Sequence, residues 1–65
     1  MRFQVYQHVR SARWVVRRDN AIYGAYLDKE QAVLDAIDAA GDAREAGCEA
    51  QVWVHDQAGS RSVPA

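Results

Sequence analysis

Sixty-five residues with a formal net charge of −1 make one small domain, near the size at which a single hydrophobic core just suffices without staples. The lone cysteine, Cys48, excludes an internal disulfide, and no apolar run approaches the roughly 20 residues that a membrane-spanning helix requires. Met1–Tyr6 carries no signal-peptide core, so no membrane association and a cytoplasmic location are expected, with packing alone holding the fold.

Charge is unevenly distributed along the chain. Residues 1–26 hold five arginines against Asp19, a net +4, whereas residues 27–65 hold three basic residues against eight acidic ones, a net −5. Such a dipole favours self-association as readily as it favours an anionic ligand.

From the amino end, Phe3, Val5 and Val9 alternate with Gln4, Tyr6, His8 and Arg10, which predicts a half-buried strand over 3–9. Ser11-Ala12 interrupts the pattern. It resumes over Arg13–Arg18, with Trp14 and Val16 on one side and Arg13, Val15 and Arg17 on the other, as in a hairpin. Asp19-Asn20 tolerates the positive φ of a tight reversal into a third strand, Ala21–Tyr26. In that strand Ile22 and Tyr26 are expected to face the core, with Gly24 leaving room for the helix or for Trp14.

Asp28 to Gly47 predicts the only helix. Val33, Ala36, Ile37 and Ala40 recur at helical spacing, and Asp35, Asp38, Asp42 and Glu45 fall on the opposite, solvated side. Asp28 is suited to cap the first turn, with Gln31 at capping-box spacing, and Gly47 to stop the last. Gly41 is the weak point, since a mid-helix glycine costs about 1 kcal/mol relative to alanine, and a continuous helix is expected through it. Cys48 then sits between helix and strand as a partly buried structural thiol.

Ala50–His55 predicts the last strand, Val52 and Val54 on one face and Gln51, Trp53 and His55 on the other, followed by a turn at Asp56–Gly59. The domain thus spans residues 1–58, and 59–65 are expected to form a flexible C-terminal tail unless Val63 adds to a sheet edge. The fold class is α+β with two layers: strand, strand, strand, helix, strand. A helical crossover orients the fourth strand parallel to the first, so the expected four-stranded mixed sheet has the order 3-2-1-4.

One helix covers one face of such a sheet. Phe3, Val5, Val9, Trp14, Val16, Ile22, Tyr26, Val52 and Val54 supply the covered side. The uncovered side is expected to carry Tyr6, His8, Arg13, Val15, Arg17, Tyr23, Trp53 and His55, an aromatic patch that marks an interaction site. A second copy is the preferred occupant, giving a homodimer, with another protein partner in the same class. The alternative is nucleic acid, with rings stacking on bases and Arg10, Arg13, Arg17 and Arg18 holding phosphates. A metal shared by His8 and His55 lacks an obvious third ligand. No P-loop, dinucleotide fingerprint, Cys-x-x-Cys or Ser-His-Asp pattern occurs, so the expectation is a non-enzymatic accessory module without metal or cofactor.

The Trp14–Val16 strand, the helix running from Glu30-Gln31-Ala32-Val33 to Ala40, and the closing Val52–Gly59 stretch resemble the small bacterial domain-of-unknown-function family numbered 2188. That resemblance covers residues 3 to 60 and implies the same fold, no established activity and no catalytic residues. A more distant likeness is to the three-strand-plus-helix DNA-binding modules at the amino end of some phage-type integrases, which implies contact with nucleic acid through a basic sheet.

Overall fold

A computed structural model describes residues 1–63. Strands β1 (Arg2–Gln7), β2 (Trp14–Arg18) and β3 (Ala21–Tyr26) form an antiparallel meander. Helix α1 (Lys29–Glu45) crosses the sheet, and β4 (Gln51–Asp56) and β5 (Gly59–Val63) form a closing hairpin. The sheet order is β3-β2-β1-β4-β5, with β4 parallel to β1 at its centre. The expected α+β class, single helix and 3-2-1-4 arrangement hold among the described residues, but the sheet has five strands, not four. The fifth is Gly59–Val63, placed in the sequence reading within a C-terminal tail; residues 64 and 65 of that tail lie outside the described residues.

Local chemistry explains the boundaries. Asp28 caps α1, its carboxylate accepting the Gln31 N–H at 2.8 Å where the first turn has no intrahelical acceptor. At the other end Gly47 adopts φ +91°, which lets its N–H reach the Arg44 carbonyl and the Cys48 N–H reach the Ala43 carbonyl, both at 2.9 Å. That pair of reversed bonds closes the orphan carbonyls of the last turn. The helix runs unbroken through Gly41. Between β2 and β3, Asp19 takes φ +51° and accepts the Arg2 N–H on its carboxylate, so the turn residue also extends the β1 ladder.

Five side chains are the largest fully buried: Phe3, Val5, Val16, Val52 and Val54, all on the helix side of the sheet. Against them α1 buries Ala32, Ala36, Ala39 and Ala40, while Val33 and Ile37 flank the contact. The stripe is therefore shifted from the expected Val33, Ala36, Ile37 and Ala40. Alanines at the centre let the helix backbone sit close to the valines of the sheet, and the larger side chains fill the margins.

Five expected placements change. β1 ends at Gln7, so Val9 lies in the connecting turn, 96 % exposed, and contributes nothing to the core. His8 leaves the strand with it. A register shift between Val16 and Arg17 sets Ile22 opposite Arg17 on the uncovered side, 61 % exposed, and turns Tyr23 to the helix side, where its ring meets Phe3 edge-on at 5.8 Å. The bulge inserts one residue into β3 and so reverses the alternation on its far side. Cys48, expected to be partly buried, is exposed just past the helix stop.

Gly24 retains its expected role with a different neighbour: a Cβ there would lie 2.7 Å from the Tyr26 hydroxyl oxygen, so the ring of Tyr26 lies over the glycine. Burial first, then the neighbouring Asp35 carboxylate of α1, push the Tyr26 phenol up to about 12. Asp35 is thus turned toward the sheet, unlike the solvated acids of the outer helix face.

Candidate functional site

The uncovered face is built by strand alternation around the parallel seam. On β1, Arg2, Gln4 and Tyr6 share this side; on β4, Gln51, Trp53 and His55 do so, with Gln4 beside Trp53 in the parallel register. Val15 and Arg17 continue it onto β2, and Ser60 and Ser62 onto β5. Of the eight residues expected here, Tyr6, Val15, Arg17, Trp53 and His55 come together. Arg13 stands just outside β2 in the hairpin connection. His8 sits in that same connection, its ring Nδ1 accepting the Ser11 N–H at 3.3 Å, and Tyr23 has moved to the helix side.

Polar side chains order the face. His55 on β4 joins the strands on either side of it, bonding Gln4 of β1 through Nε2 at 3.0 Å and Ser60 of the edge strand β5 through Nδ1 at 2.7 Å. Both ring nitrogens are therefore engaged, and the imidazole fixes neighbouring side chains. Trp53 donates its indole N–H to Gln51, and the Arg2 guanidinium lies 5.3 Å from the centre of its ring. Val15 is only 7 % exposed although it lies on the uncovered side, between Tyr6 and Ala25 on the flanking strands.

Charge is segregated by layer. The strand positions of the uncovered face hold Arg2 and Arg17 and no carboxylate, Asp19 and Glu49 bordering Arg2 and Gln51 only at one end of the sheet, while Asp38, Asp42 and Glu45 ride on α1 at the opposite side of the molecule. Arg2 was missed in the sequence reading, although it falls on the same parity as Gln4 and Tyr6. No group of three or more His, Cys, Asp or Glu among the described residues is placed to hold a metal ion, and no helix is long and apolar enough to cross a membrane.

At one end of the sheet, where β1 and β4 run out beside the start of α1, a cleft of about 650 Å³ opens between Tyr6, Trp14, Lys29, His55, Asp56 and Gln57. Lys29 and Arg61 both bind the Asp56 carboxylate, and the Lys29 ammonium lies 5.8 Å from the centre of the Trp14 ring. Hydrogen bonds from Lys29 and then Arg61, outweighing the effect of burial, hold the Asp56 carboxyl down at about 2. Nothing in the sequence signals this triad, because its members come from a helix start, a strand end and a neighbouring strand. No family model, curated protein or solved structure matches this chain, so its functional reading rests on these surfaces.

Proposed function

We propose that the chain is a non-enzymatic binding module whose uncovered sheet face takes a single-stranded nucleic acid. One observation carries this: Tyr6 and Trp53 stand on adjacent central strands of an open sheet whose uncovered strand positions present Arg2 and Arg17 and no carboxylate. Rings on a flat sheet stack on bases of any sequence, and arginines around them meet the phosphates. The acidic helix does not oppose this, since it faces the other way.

The same features weigh against a second copy as occupant. A homodimer buries apolar side chains at the centre of its interface, but on this face Tyr23 has left, Val15 is already covered by its own neighbours, and the exposed Ile22 that replaces Tyr23 stands on the edge strand β3. Two copies meeting face to face also bring together two surfaces whose strand positions carry arginines and no carboxylate.

The test is fluorescence anisotropy of a labelled single-stranded oligonucleotide, with sedimentation of the protein alone in parallel. Binding that weakens steeply with salt and is lost in an Arg2→Glu, Arg17→Glu double variant is the expected result. Equal binding by the double variant, or none at low salt, overturns the proposal. A dimer that Trp53→Ala dissociates, with no retention of nucleic acid, assigns the face to a second copy instead.

A further inference from the structure

We infer that the cleft at the end of the sheet takes one nucleotide unit, its base among Tyr6, Trp14 and His55 and its phosphate at Lys29. This rests on the nucleic-acid reading of the adjoining face and goes beyond it, by giving the strand a specific anchoring point.

The cleft continues the aromatic surface around the sheet end. Tyr6 and His55 belong to the uncovered face, whereas Trp14 lies on the helix side packed against the core, and all three line one opening. A volume of about 650 Å³ exceeds what a base with its sugar and phosphate needs, and falls within the range of small-molecule sites. Local charge favours an anion. Lys29 and Arg61 share the single carboxylate of Asp56, which leaves one positive charge in excess, and an ammonium has three donors of which Asp56 takes one. Gln57 adds an amide group that donates to and accepts from a base edge, and Gln7, whose Nε2 donates to the Ala12 carbonyl at 3.0 Å, adds its amide oxygen.

The source of the nucleotide is either a free nucleoside monophosphate or a unit of a strand, and the two tryptophans separate these cases. Trp14 reports the cleft in a Trp53→Phe protein, and Trp53 reports the face in a Trp14→Phe protein, each checked for the native circular dichroism spectrum. Adenosine monophosphate is expected to quench Trp14 alone, and an oligoadenylate to quench both. Lys29→Gln, which keeps the helix start and leaves Asp56 to Arg61, is expected to weaken monophosphate binding about tenfold, the effect of losing one charge-assisted hydrogen bond. Should Trp14 stay silent while Trp53 is quenched by the oligoadenylate, the cleft inference falls and the face stands. Quenching of Trp14 by the monophosphate with Trp53 unmoved by the oligoadenylate leaves a free-nucleotide site and removes the strand. If Trp14→Phe unfolds the chain, Lys29→Gln in the Trp53→Phe background still decides the matter, since undiminished binding overturns the proposal.

Discussion

Replacing glycine by alanine has opposite consequences at two positions of this chain. At Gly41 nothing lies within 4 Å of an added Cβ and the backbone is helical, so Gly41→Ala is expected to raise stability by about 1 kcal/mol in urea unfolding. At Gly24 the added carbon displaces the Tyr26 ring from its place over the glycine and beside Asp35. Gly24→Ala is therefore expected to cost about 1–3 kcal/mol, and the Tyr26 phenol to titrate nearer its ordinary value in an ultraviolet pH scan. Asp56 sets the acid limb of stability. Its carboxyl titrates at about 2 when folded and near 3.8 when free, so its contribution is complete above about pH 4 and is lost as pH falls through 2. Asp56→Asn should flatten that limb of the unfolding curve, and an unaltered limb would show that its two ion pairs contribute nothing. Single residues were also where the sequence misled most. The parity of Ile22 and Tyr23 is sound within β3, but a bulge reverses it, and a bulge is a property of two paired strands that neither strand shows alone.

Helix α1 was legible because its signals are local: an aspartate cap, a glycine stop and an apolar period between them. The stop is the sharper test. Gly47 occupies a left-handed conformation that an L side chain adopts at a cost, so Gly47→Ala is expected to lose about 1 kcal/mol by thermal melting, with Gly41→Ala as the internal contrast. What the period did not reveal was how closely the helix approaches. Valine and isoleucine outrank alanine in any hydrophobic scale, yet the contact line runs through Ala32, Ala36, Ala39 and Ala40, because a helix lying on a valine-lined sheet has little space beneath its axis. β5 was legible only as the alternative that Val63 adds to a sheet edge. Gly-Ser-Arg-Ser-Val has no burial alternation, and its order comes from backbone bonds to β4, the Arg61 bond to Asp56 and the packing of Val63 against the core. The absence of His8 from the face follows from where β1 stops, a matter of turn geometry that alternation alone cannot set.

For the whole molecule the decisive feature is a thin core. Among the described residues Phe3 is the only fully buried aromatic side chain, and Phe3→Ala is expected to cost about 3–5 kcal/mol, as much as a domain of this size holds in total. That variant should be largely unfolded at room temperature by circular dichroism. The two-layer plan and the open face were readable from counting one helix against a sheet, whereas the layer-wise separation of charge emerged only once Arg2 and α1 were placed on opposite sides.

The seam between β1 and β4 has a consequence for biosynthesis. It unites stretches almost fifty positions apart, Arg2 beside Gln51 and Val5 beside Val54, so the middle of the sheet is the last part to close. A chain still being translated holds its first three strands as a meander lacking the neighbour that completes them. Productive folding must therefore await emergence of β4 from the ribosome. A nascent chain arrested before the fourth strand emerges should remain open to proteases, whereas one extended through β5 resists them.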